Sequence, residues 1–192
     1  MIDLIQSSLN ESAALLQRVA AEMAPQIAEV AERAVACLQA GGKIALCGNG
    51  GSASQAQHLA GELIGRFRRE RPAYAALALN TDTAILTAIG NDYGYAEVFR
   101  RQVEGLLVPG DMLIALSTSG NAENILRAVE EAQLRGVVTV GFTAEGGGRL
   151  AEIADLCLRV PHRQTSTAQE AHLAIGHVLC DLIEAAMVGA AL

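Results

Sequence analysis

Apolar and polar positions recur along this chain with two different periods, and the switches between them divide it into elements. Five short stretches, residues 43–47, 75–79, 112–116, 137–142 and 156–160, are almost wholly apolar and end in glycine, polar residues or proline. Runs of that length predict strands buried on both faces. The segments between them carry apolar residues three and four apart, the period of a helix with one buried side. Residues 4–23 place Leu4, Ile5, Leu9, Leu15, Leu16 and Val19 on such a stripe. Pro25 then predicts the start of a second helix, with Ile27, Val30, Ala34, Val35 and Leu38 on one side and Gly41-Gly42 as its stop. Thr81-Asp82 reads as a cap for a helix carrying Ala84, Ile85, Leu86 and Ile89. Residues 90–94 read as a turn, 96–107 as a helix, and Pro109-Gly110-Asp111 as another turn. Helices are also expected over 123–135, 150–153 and 167–188. Strands that alternate with helices predict an α/β three-layer sandwich around a five-stranded parallel sheet. The two helices ahead of the first strand exceed what the sheet needs and are read as a self-association surface.

Length and composition narrow the class. The 192 residues suit one domain. Hydrophobic residues make up 51% of them, yet no apolar run is long enough to span a membrane, so no membrane partner is expected. The first residues, Met1-Ile2-Asp3-Leu4, lack the basic and apolar regions of a signal peptide, which predicts a cytoplasmic protein. A net charge of −7 with no aromatic-basic stripe argues against nucleic acid as a partner. The one basic cluster, residues 66–71 (RFRRER), reads as a solvated connector rather than a polyanion site. Cys37, Cys47, Cys157 and Cys180 stand singly in apolar surroundings and read as small buried hydrophobes in a reducing compartment.

Candidate chemistry gathers where strands end. The first strand runs into Gly48-Asn49-Gly50-Gly51, and Ser52 and Ser54 open the following helix. Glycines admit backbone amides to a ligand, and a helix N-terminus favours negative charge. The spacing is that of neither a Walker loop nor a dinucleotide fingerprint, so by itself the turn also fits a plain strand-to-helix connection. Ser117-Thr118-Ser119-Gly120-Asn121 repeats the arrangement after the third strand, and two such turns with hydroxyls favour a phosphate. In open parallel sheets ligands sit at this carboxyl edge. His58 and Glu62 lie four apart on one helix face, able to move protons, hold a metal, or pair as a surface contact. The last helix carries Gln169, Glu170, His172 and His177. His172 and His177 fall on separate faces and cannot serve one site. Gln169 and His177 are about 12 Å apart along a straight helix. Both reach one site only if the helix begins after Gln169 or if they come from different subunits.

In this order, CGNGGSASQAQH (47–58), IGNDYGY (89–95), STSGN (117–121) and QEAHLAIGH (169–177) resemble the phosphoheptose isomerases of the sugar isomerase (SIS) domain superfamily. The resemblance implies a flavodoxin-like SIS domain over residues 1–192, with residues 1–40 contributing to oligomerisation. It implies a homotetramer, with sites at subunit interfaces, that converts sedoheptulose 7-phosphate to D-glycero-D-manno-heptose 7-phosphate for surface glycans such as lipopolysaccharide. It further implies one zinc per subunit on His58, Glu62, Gln169 and His177, with Glu62 as base and His177 as acid. Asn49, Gly50, Gly51, Ser52, Glu62, Asn91, Asp92, Ser117, Thr118, Ser119 and Gln169 would line the substrate. Ala122 departs from the family's frequent serine, and Ser166-Thr167 from its Asp-Arg. The competing expectations are a non-catalytic scaffold for the bacterial replication initiator, which the acid–base pair argues against, and a sugar-phosphate sensor.

Overall fold

The computed structural model describes residues 1–189. The chain runs α1 (Ile2–Gln39), β1 (Ile44–Gly48), α2 (Gly51–Ile64), β2 (Ala76–Ala78), α3 (Thr83–Asp92), a 3-10 turn (Tyr95–Glu97) and α4 (Arg100–Leu106). It continues through β3 (Met112–Leu116), α5 (Glu123–Leu134), β4 (Val138–Thr143), α6 (Leu150–Ile153), β5 (Leu156–Arg159) and α7 (Thr165–Met187). The five strands pair in parallel in the order β2-β1-β3-β4-β5. Successive strand residues serve opposite faces, the period of two that a pleat imposes. Ile44, Leu46, Met112 and Ile114 join the core beneath α1, α2 and α7. Ala45, Cys47, Leu113 and Ala115 join the core with Val103, Ile125 and Val129 of α4 and α5. The three-layer sandwich predicted from the sequence is the observed one.

The strand order has a switch point. After β1 the chain moves outward to β2, whereas after β3 it moves the other way to β4. The turns that follow β1 and β3 therefore diverge and leave a crevice at the carboxyl edge. At the opposite edge Asp111 ties the two strands together. It accepts from the Lys43 amide at 2.9 Å, the Lys43 ammonium at 2.6 Å and the Val108 amide at 2.8 Å. Burial works to raise this carboxyl's pKa, but the Lys43 ammonium and the two amides outweigh it and hold it below its ordinary value.

Three boundaries differ from the sequence expectation. The two N-terminal helices are one, because α1 passes straight through Pro25. Its buried residues Leu15, Val19, Met23, Ile27, Val30 and Ala34 keep helical spacing across the proline. Burying that continuous stripe outweighs the cost of a proline inside a helix, about 3 kcal/mol. The expected turn over 90–94 is mostly helix: α3 continues to Asp92, and the chain reverses only at Tyr93-Gly94. The expected helix over 96–107 divides into the 3-10 turn and α4. The Asp82 cap forms as expected, accepting from the Ile85 amide at 2.9 Å.

Pro25 gives a direct test of the unbroken helix. Pro25→Ala restores an amide donor toward Ala21 and removes the ring clash, so it is expected to stabilise the fold by about 1–3 kcal/mol in thermal unfolding. A lowered Tm would show that α1 needs the proline to follow its neighbours.

Candidate active site

The turns after β1 and β3 are cross-braced. Asn49 and Asn124 exchange two amide hydrogen bonds of 2.9 Å, and the Tyr95 hydroxyl donates to the Asn49 Oδ1 at 3.0 Å. Asn124 is buried in the first turn of α5, so the bridge fixes one turn against the start of the other's helix. Neither α2 nor α5 has a side-chain cap: their N-cap residues are Gly50 and Ala122. The Ser52, Ala53 and Ile125 amides turn back to the carbonyls of Asn49, Gly50 and Ala122, so the amides left for a ligand at this edge are the first ones, Gly51 of α2 and Glu123 and Asn124 of α5. Ser117 is buried, Thr118 partly so, and Ser119 is exposed. Gly120, at φ +65°, lets this turn lie against residues 146–148, since a Cβ there would stand 1.9 Å from the Gly147 carbonyl oxygen. Thr118 and Ser119 line a cavity of about 460 Å³ with Ala144, Glu145, Gly146 and Arg163.

The second centre forms where α2 meets α7. His58 Nε2 lies 2.8 Å from His177 Nε2 and 3.3 Å from a Glu62 carboxylate oxygen. One donor atom from each of the three residues lies within 4.8 Å of the others. Ligands held by one zinc ion at 2.0–2.2 Å stand about 3.3 Å apart in a tetrahedron, so two imidazoles and a carboxylate at this spacing fit such an ion. They leave a fourth position, as a catalytic site requires. The i,i+4 pair is therefore more than a surface contact, because a third donor arrives from 115 residues away. The helices come this close because α7 has no side chain at Gly176: a Cβ there would lie 2.6 Å from the Leu59 side chain. The Phe67 ring stacks on His177 with centroids 5.3 Å apart and planes at 24°.

The remaining expected residues fall into two groups. Asn49, Ser52 and Gln169 gather at the start of α2, where Gln169 Nε2 donates to the Ser52 hydroxyl at 3.3 Å and the Gln169 carbonyl accepts from Gln55 at 2.6 Å. Gly50 and Gly51 are exposed beside them. Gln169 lies inside α7, which starts at Thr165, so a helix beginning after Gln169 is excluded. Asn91 and Asp92 sit exposed in the last turn of α3, with the Asn91 amide donating to Asp92 at 2.8 Å. His172 is turned the other way, into the core, where its Nε2–H donates to the Thr143 carbonyl at 3.1 Å. Burial pushes its pKa down to about 4, which makes it a neutral structural group.

Sequence reasoning missed five residues here. Arg163 brings a cation to the Ser/Thr cavity, although its charge is shared with Glu145 at 2.6 Å. Asn124 looked like an ordinary helix residue. Phe67 and Arg71 lie in the basic cluster expected to be a solvated connector. That expectation is corrected for Arg71, whose side chain is 1% exposed and paired with the fully buried Glu184 at 3.0 Å. Glu184 had a signal: it is an acid on the apolar stripe formed by Leu179, Cys180 and Ile183.

Comparisons with known proteins agree with this geometry. The sequence profile of the SIS domain matches residues 9–144. The chain is 54% identical to a phosphoheptose isomerase of Rhodospirillum rubrum over 166 residues, covering 86% of this chain and 88% of that one. It is 47% identical to a phosphoheptose isomerase of Trichlorobacter lovleyi over 189 residues, 98% of this chain and 96% of the other. The solved phosphoheptose isomerase of Francisella tularensis superposes with a TM-score of 0.92 at 40% identity, covering 95% and 97%. A sheet with its crevice between β1 and β3, a hydroxyl-lined turn beside it and full-length matches of this kind place the chain in the phosphoheptose isomerase family of SIS-domain proteins.

Proposed function

We propose that the protein interconverts sedoheptulose 7-phosphate and D-glycero-D-manno-heptose 7-phosphate through an enediolate, as the entry to nucleotide-activated heptose for lipopolysaccharide or another surface glycan. The observation that supports this most is the convergence of Glu62 and His177, from distant parts of the chain, with His58 between α2 and α7. Glu62 takes the proton from C1 of the ketose and returns it to C2. His177 supplies a proton to O2 as the enediol forms and takes back the O1 proton as the aldehyde appears, which restores both groups for the next turnover. Ser117, Thr118 and Ser119, with the α5 amides and Arg163, hold the distant phosphate, so its binding energy orients the reacting carbons. Asn49, Gly50, Gly51, Asn91 and Asp92 are assigned to the sugar hydroxyls.

His58, Glu62 and His177 are assigned to a zinc ion, one per chain, which when bound polarises the sugar carbonyl. Gln169 sits at the level of Ser52, far along α7 from His177, so it joins that set only from a neighbouring copy. A homotetramer with sites at its interfaces would supply that copy. It is supported by Ile2, Leu4, Ile5 and Leu9 on α1, which stand exposed among the described residues. Among the described residues no helix is long and apolar enough to cross a membrane, and a cytoplasmic location is proposed with the enzyme.

Glu62→Gln and His177→Gln are each expected to lower kcat at least about 100-fold while circular dichroism and oligomeric state stay unchanged. Wild-type turnover in either variant would remove the assigned role. Ser119→Ala is expected to raise KM for the phosphorylated sugar several-fold with kcat little altered. An unchanged KM would place the phosphate elsewhere. Metal analysis after dialysis against zinc should give one ion per chain, and His58→Ala should abolish it; retention of zinc by His58→Ala would move the metal to another site.

A further inference from the structure

Glu184 and Arg71 form a buried ion pair that the reaction as described does not use. Their side chains are 0% and 1% exposed. Glu184 accepts from the Phe67 amide at 2.7 Å, the Arg68 amide at 2.8 Å, the Arg69 amide at 3.0 Å and the Arg71 guanidinium at 3.0 Å. Arg71 donates in turn to the carbonyls of Glu62 at 2.8 Å, Leu63 at 2.7 Å and Gly65 at 3.1 Å. Its guanidinium lies 4.0 Å from the centre of the Tyr74 ring. Burial opposes the Glu184 charge, but the three amides and Arg71 outweigh it and keep the carboxyl below its ordinary pKa.

The placement of this pair distinguishes it from a general staple. Arg71 holds the carbonyl end of α2, including the carbonyl of Glu62 itself. Glu184 stands seven residues, two helical turns, beyond His177, so it shares that residue's face of α7. Asp181, one turn beyond His177, holds Arg68 at 2.7 Å and also pairs with Arg69. The segment pinned by these bonds carries Phe67, whose ring lies flat against His177. A buried ion pair contributes little net stability compared with apolar residues of the same volume, because desolvation offsets the attraction. A planar guanidinium and a carboxylate with fixed partners do define a distance between two helices.

We infer that Arg71, Glu184 and Phe67 are positioning residues: they set the gap between Glu62 and His177 and hold the His177 ring at its working angle. The inference rests on the reading of those two residues as the acid–base pair. Misplacing reacting groups by about 1 Å costs up to about 100-fold in rate. The phosphate turn at β3 lies outside this brace, so substrate affinity is largely spared.

The test is steady-state kinetics on Glu184→Gln, Arg71→Lys, Phe67→Ala and Phe67→Tyr, alongside Glu62→Gln as a reference. Glu184→Gln and Arg71→Lys are expected to lower kcat about 10- to 100-fold with KM within about twofold. Phe67→Ala, which leaves the ion pair intact, is expected to lower kcat about tenfold, and Phe67→Tyr, which keeps the ring, to recover most of that loss. If Glu184→Gln does not fold, the two Phe67 variants decide the matter. A purely structural pair would instead lower Tm and leave kcat per folded chain unchanged, and that result, with wild-type kcat in Phe67→Ala, would overturn the inference. Turnover surviving Glu62→Gln would instead contradict the acid–base assignment on which the inference rests.

Discussion

The close approach of α2 and α7 is the constraint on which the site depends. Two helices more than a hundred residues apart meet at Leu59 and Gly176, where the absence of a side chain on α7 lets the backbone come near. The neighbours of those residues in sequence, His58 and His177, are carried into contact as a result. Any side chain at Gly176 would separate the imidazoles, and the carboxylate of Glu62 would lose its opposite number. The apolar packing of α7 against α1 and the sheet supplies the force that holds the helix in place. The polar brace at Arg71 and Glu184 supplies the register.

An acidic protein that takes a phosphorylated sugar must bind an anion against its own net charge of −7. The fold meets this locally. Two uncapped helix starts, cross-braced by Asn49 and Asn124, lie at the switch point, where on the proposed reading their first amides meet the anion. Arg163 adds one positive charge at the cavity wall, partly satisfied by Glu145. Fixed amides need no reorganisation when the ligand arrives, which suits a site whose remote phosphate grip must orient carbons several bonds away.

Much of the fold was legible because strands buried on both faces are written as short apolar runs. Residues 112–116 and 150–153 were placed to the residue, and the glycine-rich turns marked the carboxyl edge. Pro25 misled because local chemistry says stop while the stripe from Leu15 to Ala34 says continue, and the long stripe carries more free energy. The candidate site was legible where its residues share a helix, as His58 and Glu62 do. The joining of His177 to them depends on how α7 lies along α2, which no periodicity encodes, whereas the separation of Gln169 from His177 follows from helix rise along one α7. Residues 66–71 looked solvated because charge usually is. What made Arg71 different was Glu184, an acid 113 residues later on a stripe that should have been apolar.

In the proposed mechanism Glu62 moves one proton between the first two carbons of the sugar while His177 serves its oxygens. Turnover of sedoheptulose 7-phosphate in deuterium oxide, followed by NMR, tests it most directly. Glu62 is partly open to solvent, so its proton exchanges during turnover and the account predicts deuterium at C2 of the aldose product. A product that keeps only protium at C2, with no deuterium entering the recovered ketose, would mean that hydrogen passes between the carbons without visiting the carboxylate.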